Sequence, residues 1–256
     1  THVNENFPDI KFAEIAIFNV PEYEGSKNSA SDNDCKVRTS FYSFQHDNLP
    51  RIADLGVFQL MPTRKESFSL IQKVCKELLH HGIIPVIIGG GHDVSYAVYK
   101  AYASLNKFNT LSVVDNKFDI GLEEDNLASF SHLGKMISHK PSHLFHYVNL
   151  AYQSYFVSPL AIKMIDGMNF DAIRLGDLKA NFQEVEPIMR NTDFLSFDIS
   201  AVLSIRSGSK RLTRLVFPTP LCPVKIDVLF NSISLSKPML ISFKTEISNV
   251  LYPILI

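Results

Sequence analysis

Short apolar runs alternate with amphipathic stretches along the first 200 residues of the chain. The run "IIPVII" is apolar throughout, which is typical of a strand that is covered on both faces in a parallel sheet. Apolar runs bounded by turn residues predict strands at 12–20, 83–88, 110–114, 171–175 and 193–199. The sequence therefore predicts a sheet of buried strands.

Helical periodicity fills the intervals between the predicted strands. The clearest helix starts at Thr63, which has capping-box spacing to Glu66, and it ends at Gly82. Further helices are predicted at 95–105, 158–168 and 183–190. Strands and helices that alternate at this spacing predict right-handed crossovers and an α/β doubly wound sheet.

This alternation stops after Ser200. Residues 202–256 are rich in Ser, Leu, Ile and Pro, and their only acidic residues are Asp227 and Glu246. We therefore divide the chain into an α/β domain at 1–201 and an unmatched C-terminal segment at 202–256. One hypothesis is a reading-frame change or a replaced segment, which leaves the segment poorly packed and the sheet without its final strands. The other hypothesis is an evolved extension of unusual composition.

Composition narrows the class of protein. With 256 residues, 46% hydrophobic and 20% charged, the chain is long enough for one large α/β domain or two small ones. A net charge of −1 gives no basic excess, which argues against a nucleic-acid partner. No apolar run reaches the roughly 18 residues that a membrane span needs, and the first residues lack a signal-peptide pattern. We therefore expect no membrane partner.

The cysteines favour a reducing compartment. Cys35, Cys75 and Cys222 lie far apart, and their number is odd, so the sequence predicts neither a zinc cage nor a disulfide framework. The expected location is the cytoplasm. The chain begins at Thr1 rather than Met, which leaves its true N-terminus open.

Polar clusters follow three of the predicted strands, at the strand ends where doubly wound sheets bind ligands. The clusters are "GGGHDVSY" at 89–96, "DNKFD" at 115–119 and "SFDIS" at 196–200. Together they direct one imidazole, His92, and three carboxylates, Asp115, Asp119 and Asp198, towards one edge of the sheet. Hard oxygen ligands with one imidazole suit Mn²⁺, Mg²⁺ or Fe²⁺ better than thiophilic ions.

Each of these residues also has a structural interpretation. The glycines at 89–91 can form a simple turn before a helix that starts near His92, and they match neither common nucleotide-binding motif. Asp115 and Asp119 can be helix caps or solvated loop residues. Asp198 is harder to explain in this way, because an unpaired carboxylate at the end of a buried strand is costly.

The order of the clusters resembles the ureohydrolase family, which includes arginase, agmatinase and formimidoylglutamase. The family pattern is Gly-Gly-x-His, then Asp-x-His-x-Asp, then Ser-x-Asp-x-Asp, and the chain has "GGGH", "DNKFD" and "SFDIS" in that order. The segment "VPEYEGSKN" and Arg38 are similar to the first strand–loop of the family and the arginine after it. The Gly-Gly-Gly-His form and the Glu-Gly-Ser loop favour the formimidoylglutamase branch. The resemblance covers about residues 13–201.

This resemblance implies an α/β fold, a three-layer α/β/α sandwich with a mostly parallel, arginase-like sheet of eight strands. It also implies two Mn²⁺ ions that activate water for attack on the carbon of a guanidino or formimino group. The positions that match the ligands of one metal are His92, Asp115, Asp119 and Asp198. The second metal corresponds to Lys117 and Ser200, where the family has His and Asp. We therefore expect at most one Mn²⁺, with no metal as the alternative.

Lys117 is open to two interpretations. A charged lysine has no lone pair for a metal, so its ammonium group can lie between Asp115 and Asp198 and supply positive charge in place of the second ion. Alternatively, the side chain extends from a loop into solvent.

The family resemblance also implies catalytic residues. His132, in "SFSHLGKM", resembles the histidine of the Ser-His-Gly segment of the family, although Leu133 intervenes. Asp119 is assigned to catalysis as well as to the metal. A carboxylate that holds the cationic end of the substrate is expected downstream in the family, and nothing in 202–256 matches it.

The sequence therefore predicts a metal-dependent hydrolase that acts on a C–N bond of a linear amidine similar to formimidoylglutamate, arginine or agmatine. Its partner would be a small amidine or guanidino substrate, and homo-oligomerisation is left open. The alternative is a catalytically inactive ureohydrolase-fold protein with a binding or structural role. A nucleotide-binding α/β protein is a third interpretation.

Overall fold

The computed structural model describes residues 10–26, 42, 50–121, 127–198, 201 and 225–229. The strands of this part of the chain are β1 Ile15–Asn19, β2 Ile52–Val57, β3 Ile84–Ile88, β4 Asn109–Val114, β5 Leu144–Tyr152, β6 Asp171–Arg174, β7 Phe194–Asp198 and β8 Lys225–Leu229. The α-helices are α1 Arg64–His80, α2 Val94–Ser104, α3 His132–Ile137, α4 Pro159–Gly167, α5 Leu175–Ala180 and α6 Val185–Arg190. Short 3₁₀ helices lie at Ile10–Phe12 and Phe182–Glu184.

All eight strands belong to one sheet, in the order β2-β1-β3-β8-β7-β4-β5-β6. The strands β1 to β7 pair in parallel wherever they are neighbours, whereas β8 is antiparallel to both β3 and β7. The carboxyl ends of β3, β4 and β7 therefore meet at the same edge of the sheet. The mostly parallel sheet predicted from the sequence is confirmed.

Two apolar clusters cover the two faces of the sheet. The first packs α1 to α4 against one face, with Ile71, Tyr99 and Phe194 among its buried members. The second packs α5 and α6 against the other face, with Leu178 and Met189 buried there. A sheet with helices on both faces is the predicted three-layer sandwich, and its strands are apolar because both faces are covered.

The helix α1 begins where the capping box predicts. The Thr63 hydroxyl accepts a hydrogen bond from the Glu66 backbone N–H at 3.3 Å, and the Glu66 carboxylate accepts one from the Thr63 N–H at 3.3 Å. Ile71, Cys75 and Leu79 form its buried face. The helix is therefore specified both by its cap and by its periodicity.

The elements that the sequence pattern did not predict are β2, β5, β8, α3 and α5. The edge strand β2 has a weak pattern, since only Ala53 of its six residues is buried. The strand β5 carries His146 and Asn149 within its apolar run, which breaks the pattern of a buried strand. The helices α3 and α5 have only six residues each, too few for a clear period of 3.6.

The strand β8 lies within the C-terminal segment, between β3 and β7. Its Val228 pairs with Val86 on one side and with Leu195 on the other. This differs from the expectation that the sheet lacks its final strands, because the facing edges of β3 and β7 are both paired. The rest of 202–256 lies outside the described residues, and the domain boundary at 201 stays a prediction.

Among the described residues, no helix combines the length and the apolar character that crossing a membrane requires.

The position of β8 predicts the effect of a proline at Val228. A proline in a central strand removes a ladder hydrogen bond and leaves a carbonyl oxygen of the neighbouring strand without its donor, so we expect Val228→Pro to lower the free energy of unfolding by about 1–3 kcal/mol. Val228→Ala keeps the backbone donor and serves as the control. Urea unfolding measures both variants, and equal midpoints for the two would contradict the central position of β8.

Candidate metal centre

The candidate site lies where the loops after β3 and β4 meet the end of β7. His92 follows β3 and its glycine turn, Asp115 directly follows β4, and Asp198 is the last residue of β7. Asp119 lies four residues beyond Asp115 in the loop after β4. Parallel strands thus bring together four side chains from three distant parts of the sequence.

Three carboxylates surround one nitrogen of His92. The Nδ1 atom lies 2.8 Å from Oδ2 of Asp119, 3.3 Å from Oδ2 of Asp115 and 3.5 Å from Oδ2 of Asp198. The side chains of His92 and Asp115 are buried, and Asp198 is partly exposed. The structure therefore brings together all four residues that the sequence proposed as metal ligands.

The other nitrogen of His92 faces two serines. Its Nε2 atom lies 3.0 Å from the Ser196 hydroxyl, which is 3.2 Å from the Ser95 hydroxyl. In one tautomer, Nδ1–H donates to the Asp119 carboxylate. In the other, the proton is on Nε2 and is donated to Ser196, and the lone pair of Nδ1 faces the carboxylates and is available to a cation. The donor set, one imidazole nitrogen and three carboxylates, therefore fits a hard divalent ion such as Mn²⁺.

Burial raises the pKa of Asp115, and the neighbouring carboxylate of Asp119 raises it further. The contact with His92 acts in the opposite direction. A buried group in this position favours the protonated form when no metal is bound. A divalent ion reverses this preference, because it stabilises the ionised carboxylate.

The backbone of Asp119 has a left-handed conformation, with φ of 49°. Aspartate tolerates this region better than most residues, although the conformation is uncommon. The turn places the Asp119 carboxylate against His92 and 3.9 Å from Nδ1 of His132. Local backbone strain at this position thus coincides with the functional side chain.

His132 lies beside His92 at the start of α3. The two imidazole centroids are 4.1 Å apart, and His132 is buried. Its Nδ1 atom lies 2.8 Å from the Ser129 carbonyl oxygen, so Nδ1–H donates and Nε2 is left as the basic nitrogen. His132, His92 and Asp119 also form a group with metal-ligand spacing.

Lys117 extends away from the carboxylates. Its side chain is exposed, and its Nζ atom lies 5.9 Å from the ring centroid of Phe156. Its backbone N–H donates a hydrogen bond to Oδ1 of Asp115 at 3.2 Å. Of the two interpretations of Lys117, this arrangement supports the one in which the side chain extends into solvent. Ser200, the other second-metal position, and Arg38 lie outside the described residues.

Sequence reasoning missed the residues that support the ligands. Ser95 and Ser196 are buried beside Nε2 of His92. Burial raises the pKa of Tyr147, and the negative charges of Asp115 and Asp119 raise it further. In the sequence, Ser196 is the first residue of the motif "SFDIS", and the motif does not indicate a contact with His92. Its contact with His92 joins residues 104 positions apart, and no local pattern signals such a contact.

A second group of ligand types lies on the surface, outside this site. Glu77, His80 and His81 at the end of α1 have side-chain donor atoms within 4.8 Å of one another, and all three are exposed. Exposed groups of this kind are common without a metal ion. We therefore take the buried group around His92 as the candidate metal centre.

Comparison with known proteins finds one matching family and several solved structures of the same fold. The model of the arginase family matches residues 27–203. Among solved structures, Trypanosoma cruzi formiminoglutamase with Mn²⁺ has a TM-score of 0.59 at 18% identity, covering 70% of this chain and 65% of that chain. Bacillus subtilis formimidoylglutamase has a TM-score of 0.60 at 19% identity, with 72% and 63% covered. The agmatine ureohydrolase of Thermoplasma volcanium has a TM-score of 0.59 at 17% identity, with 74% and 67% covered.

These likenesses establish the arginase-like fold at low sequence identity. The chain spans about 63% to 67% of the lengths of these three structures. No curated protein sequence matches the chain significantly. The family and the fold are therefore shown, whereas substrate and activity are not carried over with them.

The raised pKa of Asp115 predicts how stability depends on pH without metal. Because the folded state holds this proton more tightly than the unfolded state, the free energy of unfolding should fall as pH rises from about 4 through the folded pKa. We expect Asp115→Asn to remove this loss, so that the metal-free variant loses less stability than the native protein as pH rises towards 7.

Urea unfolding in EDTA between pH 4.5 and 7.5 measures the effect. Asp166→Asn changes an exposed carboxylate on α4 and should leave the pH dependence unchanged. Parallel curves for the native protein and Asp115→Asn would show that the folded state does not raise the pKa of Asp115.

Proposed function

The chain belongs to the arginase family, and on this basis we propose that it is a manganese-dependent hydrolase acting on a C–N bond of a linear amidine. The candidate substrates are formimidoylglutamate, arginine, agmatine and related guanidino or formimino compounds. The observation that carries the proposal is the convergence of three carboxylates on Nδ1 of His92. The substrate class is supported by solved structures of the same fold, which include a formiminoglutamase and an agmatine ureohydrolase.

In this proposal His92, Asp115, Asp119 and Asp198 hold one Mn²⁺ ion. When bound, such an ion supplies Lewis-acid activation of water and polarisation of the substrate. The three carboxylates offset its charge, and Ser196 keeps the imidazole in the tautomer that presents Nδ1.

His132 is proposed to move a proton between water and the leaving nitrogen. Its Nδ1–H is occupied by the Ser129 carbonyl oxygen, so Nε2 is the nitrogen that can accept and return a proton. Asp119 is proposed to assist as the nearby carboxylate, since it lies 3.9 Å from His132 and stabilises the imidazolium form. Both roles depend on burial, because water screens such contacts.

The second candidate function is that of a catalytically inactive family member that keeps the fold for binding or assembly. The observation in its favour is Lys117, whose exposed side chain extends over Phe156 where the family pattern has a ligand for the second metal. A site with one ion lacks the second charge that helps to activate water. Activity and metal content together separate the two candidates.

We predict that the purified protein binds at most one Mn²⁺ per chain and that Asp198→Asn abolishes or strongly weakens this binding. Metal analysis after dialysis and titration calorimetry measure stoichiometry and affinity. Asp166→Asn is the control, because this carboxylate is exposed on α4 and away from the ligand set. Two tightly bound ions per chain would refute the single-ion site.

Release of formamide from formimidoylglutamate, or of urea from arginine or agmatine, tests the reaction. Turnover that requires Mn²⁺ and is lost in His132→Ala would support the hydrolase. A folded protein that binds Mn²⁺ and releases neither product would favour the inactive family member.

We further predict that Lys117→His combined with Ser200→Asp raises the metal stoichiometry towards two and creates or increases hydrolysis. The two changes restore an imidazole and a carboxylate at the second-metal positions, and two ions activate water more strongly than one. Each single variant is the control, since neither supplies both ligands. If the folded double variant gains neither metal nor activity, the loss of function lies elsewhere in the chain.

A further inference from the structure

Arg64, the first residue of α1, joins three segments around the candidate site. Its Nη2 atom forms an ion pair with Oδ2 of Asp93, and its Nε atom lies 3.4 Å from Oε1 of Glu22. Its Nη1 atom donates a hydrogen bond to the Leu127 carbonyl oxygen at 2.6 Å. The guanidinium group thus contacts the loop after β1, the start of α2 and the loop that leads to α3.

The Asp93 carboxylate is completely buried in a space that two glycines provide. A Cβ atom at Gly25 or at Gly91 would lie 2.3 Å from an oxygen of Asp93, closer than real contacts allow. Asp93 is at the N-cap position of α2, yet its side chain does not cap the helix. It contacts Arg64 on one side, and on the other its Oδ1 atom accepts a hydrogen bond from the Ser129 hydroxyl at 2.9 Å.

Ser129 extends this network to both histidines of the site. Its hydroxyl accepts a hydrogen bond from the His92 backbone N–H at 3.0 Å, and its carbonyl oxygen accepts one from Nδ1 of His132 at 2.8 Å. Its own N–H donates to the Gly25 carbonyl oxygen at 3.0 Å. One residue therefore sets the backbone position of His92 and the tautomer of His132.

Arg64 offsets the negative charges of Glu22 and Asp93 in this network. Glu22 and Asp93 are buried carboxylates, and a buried carboxylate without a cationic partner is strongly destabilising. Arg64 suits this place because a guanidinium group can contact several acceptors at once, whereas the ammonium group of a lysine is a single point of charge.

We propose that Arg64 is a positioning residue that holds His92 and His132 in place through Asp93 and Ser129. The expected effect of Arg64 on Mn²⁺ affinity rests on the proposed function. Its expected effect on the positions of the His92 and His132 segments does not. Loss of the outer contacts of a metal ligand typically weakens metal binding by about 10- to 100-fold.

The first test uses amide hydrogen exchange in the metal-free protein. We expect Arg64→Met to speed exchange of the His92 and Ser129 amides by roughly tenfold or more. The reason is that the Asp93 carboxylate, which Arg64 pairs with, holds the Ser129 residue to which the His92 amide is bonded. Arg64→Lys should give a smaller effect. Arg51→Met is the matched control, because Arg51 pairs with Glu14 at 3.2 Å on the surface with 65% of its side chain exposed.

Ser129→Ala provides a test that does not depend on the folding of Arg64→Met. It removes only the hydroxyl between Asp93 and the His92 N–H, so we expect faster exchange of the His92 amide while the contacts of Arg64 remain. Unchanged His92 exchange in folded Ser129→Ala, or in folded Arg64→Met, would overturn the proposal.

The second test is the Mn²⁺ dissociation constant of the same variants. Arg64→Met and Ser129→Ala should weaken binding by about 10- to 100-fold relative to the native protein, and Arg51→Met should not. Unchanged affinity in either site variant would overturn the positioning role. If the native protein binds no Mn²⁺, the proposed function fails, and the exchange experiment still decides the role of Arg64.

Discussion

Repulsion between carboxylates is the constraint on which the edge of this sheet depends. Asp115, Asp119 and Asp198 each place an oxygen within 3.5 Å of one nitrogen of His92, in a largely buried space. Such an array is stable only when protons or a cation offset its charge. The exposed ammonium group of Lys117 lies 5.9 Å from the ring centroid of Phe156, and the buried imidazole of His92 is the group that the three carboxylates surround.

Two groups of buried charged side chains lie at this edge, one around Arg64 and one around His92. In one, Arg64 offsets the buried carboxylates of Glu22 and Asp93 with a permanent charge from the chain itself. In the other, three carboxylates converge on Nδ1 of His92, and we propose that they hold an exchangeable metal ion. Ser129 and the His92 backbone connect the two groups. The ion pairs of Arg64 are part of the chain itself, whereas the proposed ion would come from solution.

The sequence predicts the parallel sheet, and it predicts that His92, Asp115, Asp119 and Asp198 meet at its edge, because both depend on local signals. Apolar runs such as 83–88 and the cap of Thr63 follow from the residues themselves, and strand ends meet wherever parallel strands are neighbours. The order of the sheet and the contact between His92 and Ser196 could not be predicted, because they depend on packing between distant segments. The sequence does not predict the direction of the Lys117 side chain for the same reason, because its neighbour Phe156 is 39 positions away in the chain.

The antiparallel strand β8 divides the sheet into two parts, and the candidate ligands lie on both sides of it. His92 follows β3, Asp115 follows β4, and Asp198 is the last residue of β7. A ligand that binds only the assembled form stabilises that form by mass action. An ion bound as we propose would therefore be thermodynamically linked to the pairing of residues 225–229, so that its affinity and the stability of the sheet would depend on each other.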